Sequence, residues 1–521
     1  MNNMTSPTKI DFDKFRLRRF IEELIEIGEV EIHEEPVALA RLSAIIEATP
    51  KAVLFRRAGP DQVELVAAVS GGRARLATAF GTSEREVVHE YTRRMANPQK
   101  AVEVPSNDAP VHQVVLQGKD IDLTKLPFHV QHEFDGGPYI SAGIDFCRDP
   151  LTGRPNVGIR RLSLRSRDTM RCDLTDLSDL KRIYLGCVER KEKLPVSFAL
   201  GSHPLNYLAA GLKHPGDEND LAATLRGEPM PMVRGLTNGI LAPADAEMIV
   251  EGFFDELGYR EMEGPYGEFY GNYGTPHLNP VFHVTAITHR VDRLHQTVLN
   301  GGKYLSRTDS ANIGSLNAEL RIWRALRGVG IEPAAVRTVP ATNGRQHARV
   351  ALKRGMPGQG RLALAALLAV SVVKHAFVVD DDIDVFNDEE MEWAMSVRFR
   401  ADRDLLVDAG YPAFYTDPAM DAEGKIAKCG FDLTRTYNEK ETVEDWIAVA
   451  PRFDRKVVHA GTVREALASG PKYFADLMQA LGSEDGREIA LELDRLREEG
   501  VLTRMEPNGE WALKNGSRPS S

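Results

Sequence analysis

Two glutamates five residues apart, Glu263 and Glu268, bracket the segment Gly264-Pro265-Tyr266-Gly267. Gly and Pro at its centre disfavour a helix and predict a tight loop. Such a loop can hold two carboxylates at one site. Beside a cation their proton affinities split, one staying charged as a base and the other keeping its proton as an acid. Taken alone, a Glu/Gly-rich loop is more often a solvated turn. A second candidate is Asn156-Val-Gly-Ile-Arg160-Arg161, which follows the turn at Asp149 and opens a predicted strand. Asn offers a neutral oxygen ligand, and Arg clamps an anion bidentately. Glu218 stands in the first turn of a predicted helix, where the helix dipole favours an acid. The run from Asp380 to Asp384 ends a predicted strand, and its acids are either a cation site or a solvated turn. Asn300-Gly-Gly-Lys303 lacks the spacing of a phosphate loop, and no GxGxxG or GxSxG signature is present.

The elements that must position these residues belong to a multidomain α/β chain. A chain of 521 residues exceeds one compact core. A helix is predicted from Phe12 to Ile27, ended by Gly28, and a small α/β unit extends to residue 112. From 113 to 315 the pattern is β-rich, with strands around Tyr139–Phe146, Val157–Leu164, Pro195–Leu200 and Val281–Arg290, and helices near 177–190 and 218–226. The α/β pattern returns over 316–455. Residues 456–521 add two helices and a two-stranded wing, in the order of a winged helix. The second helix of that appendage is acidic, which favours packing or oligomerisation over DNA contact.

Composition narrows the function. Hydrophobic residues make up 42% and charged residues 27%, as in ordinary globular proteins. A net charge of −11 argues against general nucleic-acid or anionic-membrane binding. Four cysteines without a Cys-x-x-Cys pair fit a reducing, cytoplasmic setting and suggest neither a disulfide framework nor structural zinc. The polar N-terminus lacks the pattern of a signal peptide. The apolar stretch Leu362 to Val373 is too short to span a bilayer.

In order and spacing these motifs resemble the UbiD family of reversible decarboxylases. The resemblance runs from about residue 105 to 450 and has five anchors. They are Asn156-x-x-x-x-Arg161, Glu218 with Leu225-Arg-Gly-Glu-Pro229, Pro243 to Gly252, Glu263 to Glu268, and Val378 to Val385. It implies a central split β-barrel that binds prenylated FMN, flanked by N- and C-terminal α/β domains. It further implies a cofactor phosphate held through a divalent metal, usually manganese, with potassium nearby. Asn156 and Glu218 match metal-ligand positions, and Arg161, Glu263 and Glu268 match the catalytic Arg-Glu-Glu set. Ser141 matches a position facing the flavin, and Arg171 is a candidate for the cofactor phosphate. The partners implied are a flavin prenyltransferase that supplies the cofactor and an aromatic or α,β-unsaturated acid substrate, in a homodimer or homohexamer.

Two positions depart from the family pattern. Many relatives carry a further metal-ligating His about twenty residues after the Asn. Here Asp179 takes that place by counting, with Asp173 and Asp176 as alternatives. Relatives often place Tyr before the catalytic Arg, where this chain has Arg160. Adjacent strand residues face opposite sides, so Arg160 is expected to point out of the barrel, away from the site. The divergent segment 160–180 suggests an unusual aromatic substrate, such as a phthaloyl-CoA-like thioester. The competing readings are a catalytically silent flavin-binding or regulatory protein on the same scaffold, and another flavoenzyme.

Overall fold

The computed structural model describes residues 10–174, 178–414, 416–435, 442–453 and 460–514. The chain forms two compact units, Met1–Met391 with Arg400–Leu433, and Glu392–Phe399 with Thr434–Ser521.

At the centre of the larger unit lies a barrel. Its strands are β1 (Val114–Gln117), β2 (Tyr139–Arg148), β3 (Pro155–Leu164), β4 (Thr169–Cys172), β5 (Leu194–Leu200), β6 (Met248–Phe254) and β7 (Val281–His289). They run in the order β6-β5-β2-β3-β4-β7-β1. A β6–β7 pairing closes six of them into a barrel, with β1 appended to β7. Alternation sorts their side chains. Cys147, Leu162, Val196, Phe198, Met248, Val250 and Phe282 fill the interior, while Ala142, Ile144, Phe146, Ala199 and Ile249 join the core outside it. The β2–β3 connection is the predicted turn. Asp149 accepts the Leu151 N–H, and Gly153 adopts φ +70°.

Arg160 follows the interior parity of Leu162. Its guanidinium lies 3.3 Å from the fully buried Asp145, which also accepts a hydrogen bond from Asn156 Nδ2 at 3.1 Å. The expectation is thus corrected in part. Arg160 faces away from Arg161, but into the barrel, because Asp145 supplies its counter-charge there. Gly158 makes the room. A Cβ at 158 would lie 2.8 Å from Asp145 Oδ1 and 3.2 Å from Arg160 Nη2.

One irregularity matters for function. Between Ile140↔Leu162 and Gly143↔Arg160, Ser141 and Ala142 together oppose Arg161. Such a bulge bends its strand and re-aims the side chain across from it.

Before the barrel, strands Val30–His33, Ala52–Ala58 and Val63–Ala67 form a sheet with helices Leu17–Glu26 and Arg73–Phe80 among the elements around it. Its fourth strand is His295–Thr297, which arrives only after β7 and pairs parallel to Val63–Ala67. After the barrel, helix Asp309–Gly328 leads into a five-stranded sheet. Its order is Pro333–Thr338, His347–Leu352, His375–Asp380, Lys425–Asp432 and Leu405–Pro412. The smaller unit contains helices Val463–Ala468, Phe474–Leu481 and Arg487–Glu498 and the hairpin Leu502–Arg504/Trp511–Leu513, sharing a core of Val463, Leu477, Ile489 and Leu496. The first of those helices was not anticipated from sequence. No helix among the described residues is long and apolar enough to cross a membrane.

Substituting Gly158→Ala should destabilise the barrel by about 1–3 kcal/mol through overpacking against the Asp145–Arg160 pair. A lowered urea midpoint with an unchanged slope is the expected result.

Candidate active site

Arg161 projects from β3 into the Glu263–Glu268 loop. Its Nε and Nη2 donate to the two Glu263 oxygens at 3.0 and 3.1 Å, and Nη1 donates to Glu268 Oε1 at 2.6 Å. Nη2 also lies 3.3 Å from Asp173 Oδ2. The Tyr266 ring, between the two glutamates in sequence, packs under the guanidinium with 4.5 Å from Cζ to its centroid. The Glu263 side chain is fully buried, and those of Glu268 and Arg161 are 5% and 9% exposed.

Burial opposes the Arg161 charge, but Asp173, Glu263 and Glu268 outweigh it and hold its pKa well above the ordinary value. Glu268 responds differently. Burial raises its pKa, Arg161 lowers it, and Asp173 and Glu263 push it up again, leaving a net upward shift. A carboxyl in that state keeps its proton at a pH where an ordinary glutamate has lost it, as a general acid must.

The loop is built as two short ladders. Strand Glu261–Glu263 pairs with His277–Asn279, placing Glu263 opposite His277, and Tyr266–Gly267 pairs with Tyr273–Gly274. Between them Gly264 takes φ +90°, and Gly136 donates its N–H to Pro265 O. Asp135 fastens the far end. Its Oδ1 accepts the Gly267 N–H at 3.0 Å, and Oδ2 accepts the N–H groups of Gln131 and His132. A Cβ on Gly267 would meet the His132 ring at 2.3 Å, so this position must be glycine. Ser141, on the bulge, donates to Val298 O and accepts from Gln131 Nε2, both at 2.7 Å. Gln131 in turn accepts the Tyr266 hydroxyl. Ser141 therefore reaches the loop through one glutamine.

Residues that sequence reasoning did not assign to this cluster complete it. Asn279 Nδ2 donates to Glu263 Oε2 at 3.2 Å, and its Oδ1 accepts the Leu174 N–H. His277 Nε2 lies 3.2 Å from Asp173 Oδ1. Asp173, Glu263 and His277 bring ligand-type atoms within 4.8 Å of one another, with the Arg161 guanidinium as their cation. Only the tight loop and its Gly-Pro hinted at such partners.

A separate polar cluster forms at the start of β3. Glu218 opens helix Glu218–Arg226, which Asp217 caps and Gly227 ends at φ +77°. Its Oε2 accepts the Val157 N–H at 2.6 Å, next to Asn156. Burial first, then Asp145 and Asp179, push the Glu218 carboxyl up to about 7, against that hydrogen bond and Arg154. Glu218 thus reaches the backbone beside Asn156, while Asp179 stands at the first position of helix Asp179–Arg190, 3.5 Å from Arg182. An amide oxygen with carboxylates suits a hard divalent cation, whose charge would relieve this crowding. Asn156 and Arg161 are five positions apart, about 17 Å along a strand.

The other expectations are placed as follows. Asp173 is engaged by Arg161, His277 and Asn279, and Asp176 lies outside the described residues. Arg171 sits opposite Ser163, seven positions along β3 from Asn156. It faces Glu261 at 3.5 Å and donates to Leu164 O, so the structure does not bring it to Asn156 and Glu218. In the acidic run after His375–Asp380, Asp384 forms an ion pair with Arg85.

Comparison with known proteins places the chain among known families. Residues 102–303 match the family described as 3-octaprenyl-4-hydroxybenzoate carboxy-lyase Rift-related domain, and residues 311–433 match its C-terminal domain. The anhydromevalonate phosphate decarboxylase of Methanosarcina mazei is 32% identical over 434 residues, covering 82% of this chain and 98% of that protein. Among solved structures, the enzyme HmfF from Pelotomaculum thermopropionicum in complex with FMN is 29% identical, with a TM-score of 0.76, covering 81% of this chain and 94% of its own. An evolved dimeric form of HmfF with prenylated FMN is 27% identical, with a TM-score of 0.74 and coverage of 84% and 97%. Fold and relatives together define a carboxy-lyase. The chain belongs to the UbiD family.

Replacing Arg161 by Gln should cost roughly 3–5 kcal/mol in unfolding free energy, because it leaves buried carboxylates without their cation. The additional substitution Glu263→Gln should recover part of that loss, which a double-mutant cycle in urea would read.

Proposed function

We propose that this chain catalyses the non-oxidative, reversible decarboxylation of an α,β-unsaturated or aromatic carboxylic acid with prenylated FMN. The observation that carries the reading is the buried Glu268 carboxyl, bonded to Arg161 and shifted upward, beside a Glu263 clamped bidentately by the same guanidinium. The FMN and prenylated-FMN complexes of HmfF support the cofactor, and the dimeric HmfF form supports an oligomer.

When bound, the modified flavin supplies the electron sink that side chains lack. Asn156, Glu218 and Asp179 would hold the divalent metal, manganese by family resemblance, that anchors its phosphate. The rest falls to this chain's own residues. Four of the five Arg161 N–H groups face Glu263, Glu268 and Asp173, leaving one on Nη1 to meet the substrate carboxylate. Glu268 delivers the proton that replaces carbon dioxide. Glu263, fixed by Arg161 and Asn279, remains the charged partner that holds the guanidinium in place. The anhydromevalonate phosphate decarboxylase relative makes a phosphorylated acid the first substrate to try, with aromatic acids and a phthaloyl-CoA-like thioester next.

Protein co-produced with a flavin prenyltransferase should release carbon dioxide from at least one of these acids. The Glu268→Gln variant should keep its flavin and lose turnover by roughly 10²–10⁴-fold. Near-normal turnover by that variant would remove Glu268 from the chemistry, and protein that retains no flavin would favour a binding role. Asp179→Ala should lower bound metal and bound flavin together. Unchanged stoichiometry of both would take Asp179 out of the anchor.

A further inference from the structure

His277 stands in the acid cluster in an arrangement that fixes its charge. Its Nδ1 lies 2.7 Å from the Thr275 carbonyl oxygen, which can only accept, so Nδ1 carries a hydrogen. Its Nε2 lies 3.2 Å from Asp173 Oδ1 and 3.8 Å from Glu263 Oε2, again facing acceptors. A neutral imidazole has one N–H to offer, whereas the imidazolium has two. With those acids ionised, only the cation suits both sides of this ring.

Counting charges shows what that cation does. Arg161 alone would face three carboxyl groups, those of Asp173, Glu263 and Glu268. With His277 charged, two cations meet three acids, and the cluster is neutral when one acid holds a proton. Glu263 is gripped at both oxygens by Arg161, and Asp173 is shared between Arg161 and His277. Glu268 has a single Arg161 contact, so it is the acid best placed to hold the proton. Without the His277 charge, a second proton would be drawn to Glu263 or Asp173, loosening the clamp on Arg161.

We propose that His277, held as an imidazolium by Asp173 and the Thr275 carbonyl, is a positioning residue that keeps Asp173 and Glu263 ionised and confines proton exchange to Glu268. This deepens the acid–base reading above and rests on it. In agreement, the Asp173 hydrogen bond raises the His277 pKa against the opposing effect of burial, with Thr275 and Glu263 adding to the rise. The sign follows. The imidazolium is present below the raised folded-state pKa and is lost as pH rises through it, and its support of the site goes with it.

The test starts on cofactor-free protein, where failure of the decarboxylase assignment has no influence. Side-chain NMR, with the His277 signals assigned by their loss in His277→Gln, should give a midpoint above the ordinary histidine value of about 6.5. Asp173→Asn should bring that midpoint down, while Glu268→Gln should move it less. A midpoint at or below the ordinary value, or one indifferent to Asp173→Asn, would overturn the proposal. On flavin-loaded enzyme, His277→Gln should reduce kcat on the order of tenfold, less than the loss of a direct proton donor, with KM little changed. His277→Lys, which restores a cation, should recover most of the loss and extend activity to higher pH. Full turnover by His277→Gln would also overturn the proposal, while leaving the Glu268 assignment to stand or fall by its own variant.

Discussion

Everything at the candidate active site depends on one buried guanidinium. Arg161 is removed from water yet keeps its charge, because Glu263 grips it bidentately, Glu268 takes a third bond, and Asp173 stands 3.3 Å away. The converse is equally strict. Each of those acids is tolerable inside the protein only because the guanidinium is there, since an isolated buried carboxylate costs far more than one surface ion pair returns. The cluster is therefore a unit, and the proton affinity of any member is set by the others.

The fold invests in keeping that unit still. The bulge at Ser141–Ala142 lies directly across from Arg161, and the barrel wall behind it is pinned by the Asp145–Arg160 pair that Gly158 admits. On the other side, Asp135 and Gly136 hold the backbone of Pro265 and Gly267, and Gln131 joins Tyr266 to Ser141. Backbone hydrogen bonds on both flanks leave the Glu263–Glu268 loop little freedom.

The sequence was most legible where chemistry is written in short contiguous motifs. Glu263 to Glu268, Asn156 to Arg161 and the helix opened by Glu218 could be named because spacing within one segment limits what the residues can do. The β-rich centre followed from periodicity, and the split barrel from the family resemblance alone. Partners that arrive from elsewhere in the chain stayed hidden. Asp173 follows β4 and was weighed only as a metal ligand, while His277 and Asn279 lie on a short strand across from Glu263, where nothing in their neighbours marks them. Arg160 was read correctly as facing away from Arg161, but parity alone could not say which face was the interior. That required knowing that Asp145, on the adjacent strand, waited there.

Strand His295–Thr297 carries a consequence for how the molecule is made. It supplies the last strand of a sheet whose other three members precede the whole barrel, so in chain order the barrel is inserted within that sheet. During synthesis the edge at Val63–Ala67 must wait, exposed, until the chain has passed through every barrel strand. Such long-range closure is slow and leaves an open edge that invites mispairing. The same segment then touches the chemistry. Thr297 accepts from Gln131, and Val298 accepts from Ser141. Pairing of the last strand of the first sheet therefore also supplies the hydrogen bonds that hold Gln131 and Ser141 behind the acid loop.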